Sequence, residues 1–122
     1  MNKLKKEIAQ YALGPIESNS PEAVSCRYTF PAAFVGFSGH FPGHPVVPAF
    51  VQVMTAVALA EAWKSRPLQL SSVERAKFRI ELRPDQEIHV RCRERETGEG
   101  PVFEADLTVT EGLAATFTIK FT

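Results

Sequence analysis

The sequence predicts an α+β fold, an antiparallel sheet wrapped around one long central helix. Three observations predict it. Residues 48–64, PAFVQVMTAVALAEAWK, are apolar nearly all round, so a helix there has to be covered on most sides. Four consecutive segments after it alternate apolar and polar residues and are separated by short turn signals, the pattern of antiparallel strands. Such strands have a single apolar face each, and the 48–64 helix is the one large apolar surface available to cover it.

The elements follow in chain order. Leu4, Ile8 and Tyr11 recur at helical spacing among Lys3, Lys5, Lys6 and Glu7, which predicts a short amphipathic helix over residues 2–12, closed by Gly14-Pro15. Segment 23–30 alternates, with Val24, Cys26, Tyr28 and Phe30 on one face, and predicts a half-buried strand. A loop over 31–47 leads into the central helix. Pro48 suits a first helical turn, where its missing donor is not needed. The next strand is read over VERAKFRIELR, alternating through Ala76, Phe78, Ile80 and Leu82, and Pro84-Asp85 turns the chain. EIHVRCRER, VFEADLTVT and LAATFTIKFT complete the sheet, joined as a meander. Leu113, Ala115, Phe117, Ile119 and Phe121 share the apolar face of the last strand. No linker or repeat divides the chain, so 1–122 reads as one domain, with an N-terminal helix within 1–14 and the central helix at 48–64.

Composition narrows the function classes. The chain has 122 residues, 44% hydrophobic and 23% charged, with 14 basic and 14 acidic residues and a formal net charge of zero. Nothing in that balance favours nucleic acid, and a neutral surface suits a chain that hides part of itself in an oligomer. The charged N-terminal stretch lacks the apolar run of a signal peptide, and no stretch reaches the roughly 18 apolar residues of a membrane span. A cytoplasmic location is the expectation. Cys26 and Cys92 fall on the apolar phase of their strands and are expected as buried, reduced thiols.

The densest stretch is GHFPGHPVVPAFVQVMTAV, residues 39–57. Pro42, Pro45 and Pro48 each fix a backbone angle, and Gly39 and Gly43 allow angles or approaches closed to other residues. The loop is therefore shaped, and it feeds the N-terminus of an apolar helix. That end carries unpaired N–H groups and partial positive charge, able to stabilise an oxyanion. His40 on the same loop can act as a base near neutral pH. Loop physics alone leaves a proline-rich connection with two surface histidines open. His40 and His44 lack a nearby third ligand for a metal.

GHFPGHPVVPAFVQV resembles the signature of the hotdog-fold 3-hydroxyacyl-acyl-carrier-protein dehydratases: His-Phe-Pro-Gly, any residue, Pro, two apolar residues, Pro-Gly, then the central helix. VERAKFRIELRPDQEI is similar to the family's following strands. The resemblance covers about residues 24–122 and implies the architecture derived above. It implies that His40 removes the proton alpha to a thioester. Ala49 stands where the family has a glycine whose amide polarises the thioester carbonyl, and an alanine keeps that amide. Gly43 would shape the entrance of the acyl tunnel, with Phe41 and Pro48 beside the substrate. Phe30, Phe34 and Phe37 either line that tunnel or belong to the core.

The sequence departs from the family at two positions. Met54 stands where the family has the glutamate or aspartate that helps expel the hydroxyl as water. Ala58 stands where a glutamine often helps hold that water. Both would touch substrate as apolar groups, and the plain reading of Met54 is a core gap-filler. Gln52 lies about 200° around the helix from Met54, and Glu61 about 10 Å further along it, so neither replaces the acid. The resemblance therefore implies a hydro-lyase acting on acyl-carrier-protein or acyl-CoA thioesters, weak or inactive as a homodimer. In the family each site lies at a dimer interface, so a paralogous subunit in a heterodimer or higher oligomer could supply the carboxyl. The alternatives are a non-catalytic acyl-thioester or carrier-protein binding subunit and a hotdog thioesterase. No cofactor, metal, nucleic acid or membrane is implied.

Overall fold

The computed structural model describes residues 3–37, 43–95 and 100–122. Helix α1 spans Lys3–Gln10, and strands β1 and β2 span Glu17–Ser20 and Ala23–Thr29. A 3-10 turn at Val35–Phe37 precedes helix α2, Ala49–Lys64, and strands β3 to β6 follow at Leu70–Phe78, Glu87–Arg95, Val102–Val109 and Gly112–Phe121. The strands form one antiparallel sheet in the order β1-β2-β4-β5-β6-β3.

The expected architecture is the observed one. α2 has 16 residues, about 24 Å of helix, and buries Val51 to Val57, Leu59 and Ala60. The inward faces of the sheet meet it: Val24 and Cys26 on β2, Ile88, Val90 and Cys92 on β4, Phe103, Ala105 and Leu107 on β5, and Ala115, Phe117 and Ile119 on β6. The Cys92 Sγ lies 3.6 Å from the carbonyl oxygen of Ala56, where the sheet touches the helix backbone.

Four expectations are corrected. β1 is polar, reads ESNS, and carries no alternation that would reveal it. The meander is broken: β3 pairs with β6 at the edge of the sheet, and β4 lies between β2 and β5. Three strand spacings separate β3 from β4, about 14 Å, a gap that residues 79–86 can bridge. β3 also starts and ends earlier than its alternation suggests. Arg75 takes a left-handed φ of 55°, the β3–β6 register shifts between Glu74 and Lys77, and Ala76 and Phe78 are exposed at the sheet edge, with Phe78 beside the Phe117 ring. Leu82 is buried, but beyond the strand. A second register shift, between Leu107 and Thr108, turns Leu113 outward and buries Ala114 as well as Ala115.

Phe30, Phe34 and Phe37 are core. Phe30 and Phe34 stack with centroids 4.3 Å apart, and Tyr11 and Phe37 meet Phe34 edge-on. Gly36 belongs to this cluster through size: a Cβ there would stand 2.4 Å from the Phe34 ring.

Both cysteines are free and buried. Burial pushes the Cys92 thiol up to about 12 and raises that of Cys26 above its ordinary value of 9.0. The folded chain thus holds these protons more tightly than the unfolded chain. Above pH ~9 the unfolded state releases protons that the folded state keeps, so stability falls as pH rises, by up to ~1.4 kcal/mol per pH unit from Cys92 and in the same direction from Cys26. Urea midpoints measured between pH 8 and 10.5 are expected to fall. Both thiols are expected to resist alkylation at pH 8 until the chain unfolds.

Candidate active site at the N-terminus of the central helix

α2 begins without a side-chain cap. Pro48 occupies the N-cap in extended geometry, φ −62° and ψ 156°, and makes no side-chain cap hydrogen bond. The first helical hydrogen bond runs from the Gln52 N–H to the Pro48 carbonyl at 3.1 Å. The N–H groups of Ala49, Phe50 and Val51 thus form an end with net positive character.

The segment before it is pinned. The Val47 N–H donates to the Leu82 carbonyl at 2.7 Å, and the Gln52 Nε2 donates to the Val47 carbonyl at 3.0 Å. His44 Nε2 lies 3.2 Å from the Glu81 carboxylate, which Arg83 also approaches at 3.6 Å. His44, Glu81 and Arg83 are solvent-exposed, so these contacts add little stability. They tie the loop to the β3–β4 connection. Gly43 takes a φ of 81°, where a side chain would be strained.

A groove of about 260 Å³ opens between this helix end and the end of β3. Pro48, Ala49 and Gln52 form one wall, and Phe78, Arg79 and Ile80 the other. Phe50, on the first turn of α2, is 62% exposed and Phe78 is 42% exposed, so apolar surface surrounds the helix end.

The expected site residues divide accordingly. Pro48 and Ala49 come together in the groove wall. Gly43 is exposed on the loop before it. Met54 is only 7% exposed and Ala58 is half-buried; neither lines the groove. His40 and Phe41 lie outside the described residues. Glu61 is engaged at the far end of α2, where its carboxylate accepts from the Leu68 N–H at 2.8 Å and from Lys5 Nζ at 3.0 Å. Among the described residues no group of three or more His, Cys, Asp or Glu side chains could hold a metal, and no helix is long and apolar enough to cross a membrane.

Sequence reasoning missed Gln52 and the His44–Glu81 pair. Gln52 is 5% exposed and its Oε1 has no hydrogen-bond partner among the described residues. An unsatisfied buried acceptor costs about 1–3 kcal/mol. Its signal was present, since it is the first polar side chain in an otherwise apolar helix start. Helical spacing placed it opposite Met54, and that opposite side is the groove.

A helix enclosed by an antiparallel sheet in this order defines a hotdog-fold protein. Residues 16–116 match the ApeI-like family, described as ApeI dehydratase, and the chain belongs to that family. It is 27% identical over 95 residues to the 3-hydroxyacyl-[acyl-carrier-protein] dehydratase FabZ of Lactobacillus helveticus, strain DPC 4571, across 70% of this chain and 64% of that protein. The chain therefore spans a little less than two thirds of that relative's length. In fold it is similar to a chain of the dehydratase heterocomplex ApeI:P from Xenorhabdus doucetiae, with TM-score 0.74 and 22% identity over 90% of this chain and 95% of that one. A hypothetical thioesterase from Streptococcus pneumoniae, solved with coenzyme A, has the same fold, with TM-score 0.66 and 12% identity over 98% and 94%.

Proposed function

We propose that this chain binds 3-hydroxyacyl thioesters at the N-terminus of α2 and contributes the base and the oxyanion donor to their dehydration, while another subunit contributes the acid. The observation that carries this reading is the uncapped helix end at the groove, in a chain that belongs to a dehydratase family. His40, nine residues before Ala49 in the sequence, takes the proton alpha to the thioester. Charge moves to the carbonyl oxygen and is stabilised by the Ala49 amide. The electron pair returns to form the double bond as the 3-hydroxyl leaves, protonated by a carboxylic acid, as water.

Met54 is the reason to place that acid elsewhere. Its side chain is apolar and buried, and Glu61 is held by Lys5 and the Leu68 N–H. The relative from Xenorhabdus doucetiae is a heterocomplex, which supports a paralogous partner. So does β3: a nine-residue edge strand paired on one side only among the described residues, exposing Val73 and Phe78, invites pairing with another chain.

A non-catalytic binding subunit is the second reading, and the same methionine favours it. His40→Ala separates the two. With 3-hydroxyacyl thioester as substrate and the partner present, the proposal expects the variant to lose about 10²–10⁴-fold in turnover, with thioester binding retained. Unchanged turnover in His40→Ala would refute the catalytic role.

A further inference from the structure

The Gln52 side chain is held in one orientation. Its Nε2 donates to the Val47 carbonyl at 3.0 Å. The flipped amide would set Oε1 against that same carbonyl, oxygen facing oxygen, so the bond fixes which atom is which. That leaves Oε1 as an acceptor without a partner among the described residues, on a side chain 5% exposed that lines the groove beside Pro48 and Ala49. Around it the groove walls are largely apolar, from Val46, Val47, Phe78 and Ile80. A buried acceptor in such surroundings selects a ligand that brings an N–H donor.

We infer that Gln52 reads the amide N–H closest to the sulfur in the substrate's thioester arm. The inference rests on the proposed thioester reading. Gln52 stands three residues after Ala49, so their side chains are about 5–6 Å apart on one helix face. In a pantetheine thioester the carbonyl oxygen and the first amide nitrogen are separated by the carbonyl carbon, the sulfur and two methylene groups, a comparable length. With the carbonyl on the amides of the first turn, the arm's N–H falls beside Oε1. Gln52 is then a specificity-determining residue: it distinguishes an amide-bearing arm from any other thiol carrier of the same size.

The test pairs a change in the ligand with a change in the residue. S-hexanoyl-N-acetylcysteamine and its ester analogue, S-hexanoyl-2-acetoxyethanethiol, differ in the single N–H. Equilibrium titration of the full-length chain is expected to show the amide compound binding about tenfold more tightly, the scale of one buried hydrogen bond. In Gln52→Met, and in Gln52→Leu as a second variant, the ratio is expected to fall to about one. A ratio near one in the unsubstituted chain, which needs no variant to fold, overturns the assignment. So does an equal preference with and without Gln52, or a substitution that changes oligomeric state while the preference stays, which makes Gln52 an interface residue. If the unsubstituted chain binds neither compound, the thioester reading itself fails. The same arm occurs in coenzyme A and on carrier proteins. Titration of S-hexanoyl-coenzyme A against S-hexanoyl-pantetheine 4′-phosphate separates these sources: tighter binding of the former assigns coenzyme A, equal binding assigns a carrier, and the amide contact holds in both.

Discussion

Mixing this chain with a paralogue that carries glutamate or aspartate at the position of Met54 is expected to raise dehydration of a 3-hydroxyacyl thioester by about 10²–10⁴-fold over this chain alone. That range is the usual contribution of one positioned acid or base. On the proposed reading the chain alone retains the helix-terminal donors, which would act on the carbonyl whether or not the hydroxyl can leave. On that reading the described residues offer no proton donor for the departing oxygen, because Met54 is apolar and Glu61 is tied to α1 and to the start of the following segment. The partner has a surface to use. Phe50, Val73 and Phe78 are 62%, 38% and 42% exposed, on the first turn of α2 and along β3, and Phe78 lines the groove. Steady-state turnover and size-exclusion chromatography of the mixture check the expectation together. A stable mixed oligomer without added turnover would remove the composite site and leave the non-catalytic reading.

The parts of this molecule that follow from short-range pattern were legible in its residues. The central helix was read at 48–64 and spans Ala49–Lys64, and β4 was read over the nine residues it occupies. Strong amphipathic or apolar runs between Pro and Gly signals carry that much. What escaped depends on distant partners. β1 is polar, and forms because β2 offers it an edge. The true place of β3 is set by pairing with a strand some forty residues later, and an irregularity around Arg75 shifts its register there. The site behaved in the same way. The loop signature located Pro48 and Ala49 at a helix end, because proline and helix polarity are local. Gln52 gained its meaning from the wall opposite, which the end of β3 supplies.

Met54→Glu is expected to give the isolated chain dehydratase activity about 10²-fold above its starting level and to lower its stability at neutral pH. Both effects have one cause. The position is 7% exposed on an apolar helix, so desolvation raises the pKa of a carboxyl placed there above the usual ~4.3. The folded state then binds the proton more tightly than the unfolded state. Stability relative to the methionine chain is least affected below pH ~4, falls as pH rises through the unfolded value, and levels off above the folded one. A shift of two units would cost about 2.7 kcal/mol at the plateau. The protonated carboxyl that burial favours is also the form that can protonate a leaving hydroxyl near neutral pH. Met54→Gln separates the two effects, since an amide is polar and close in size but has no acidic proton. It should lower stability without the pH dependence and bring no turnover. Urea titration from pH 4 to 8 reads the first effect, and thioester dehydration with each variant reads the second. A folded Met54→Glu chain with the pH-dependent loss of stability but no gain in turnover would show that more than the acid is missing from this site.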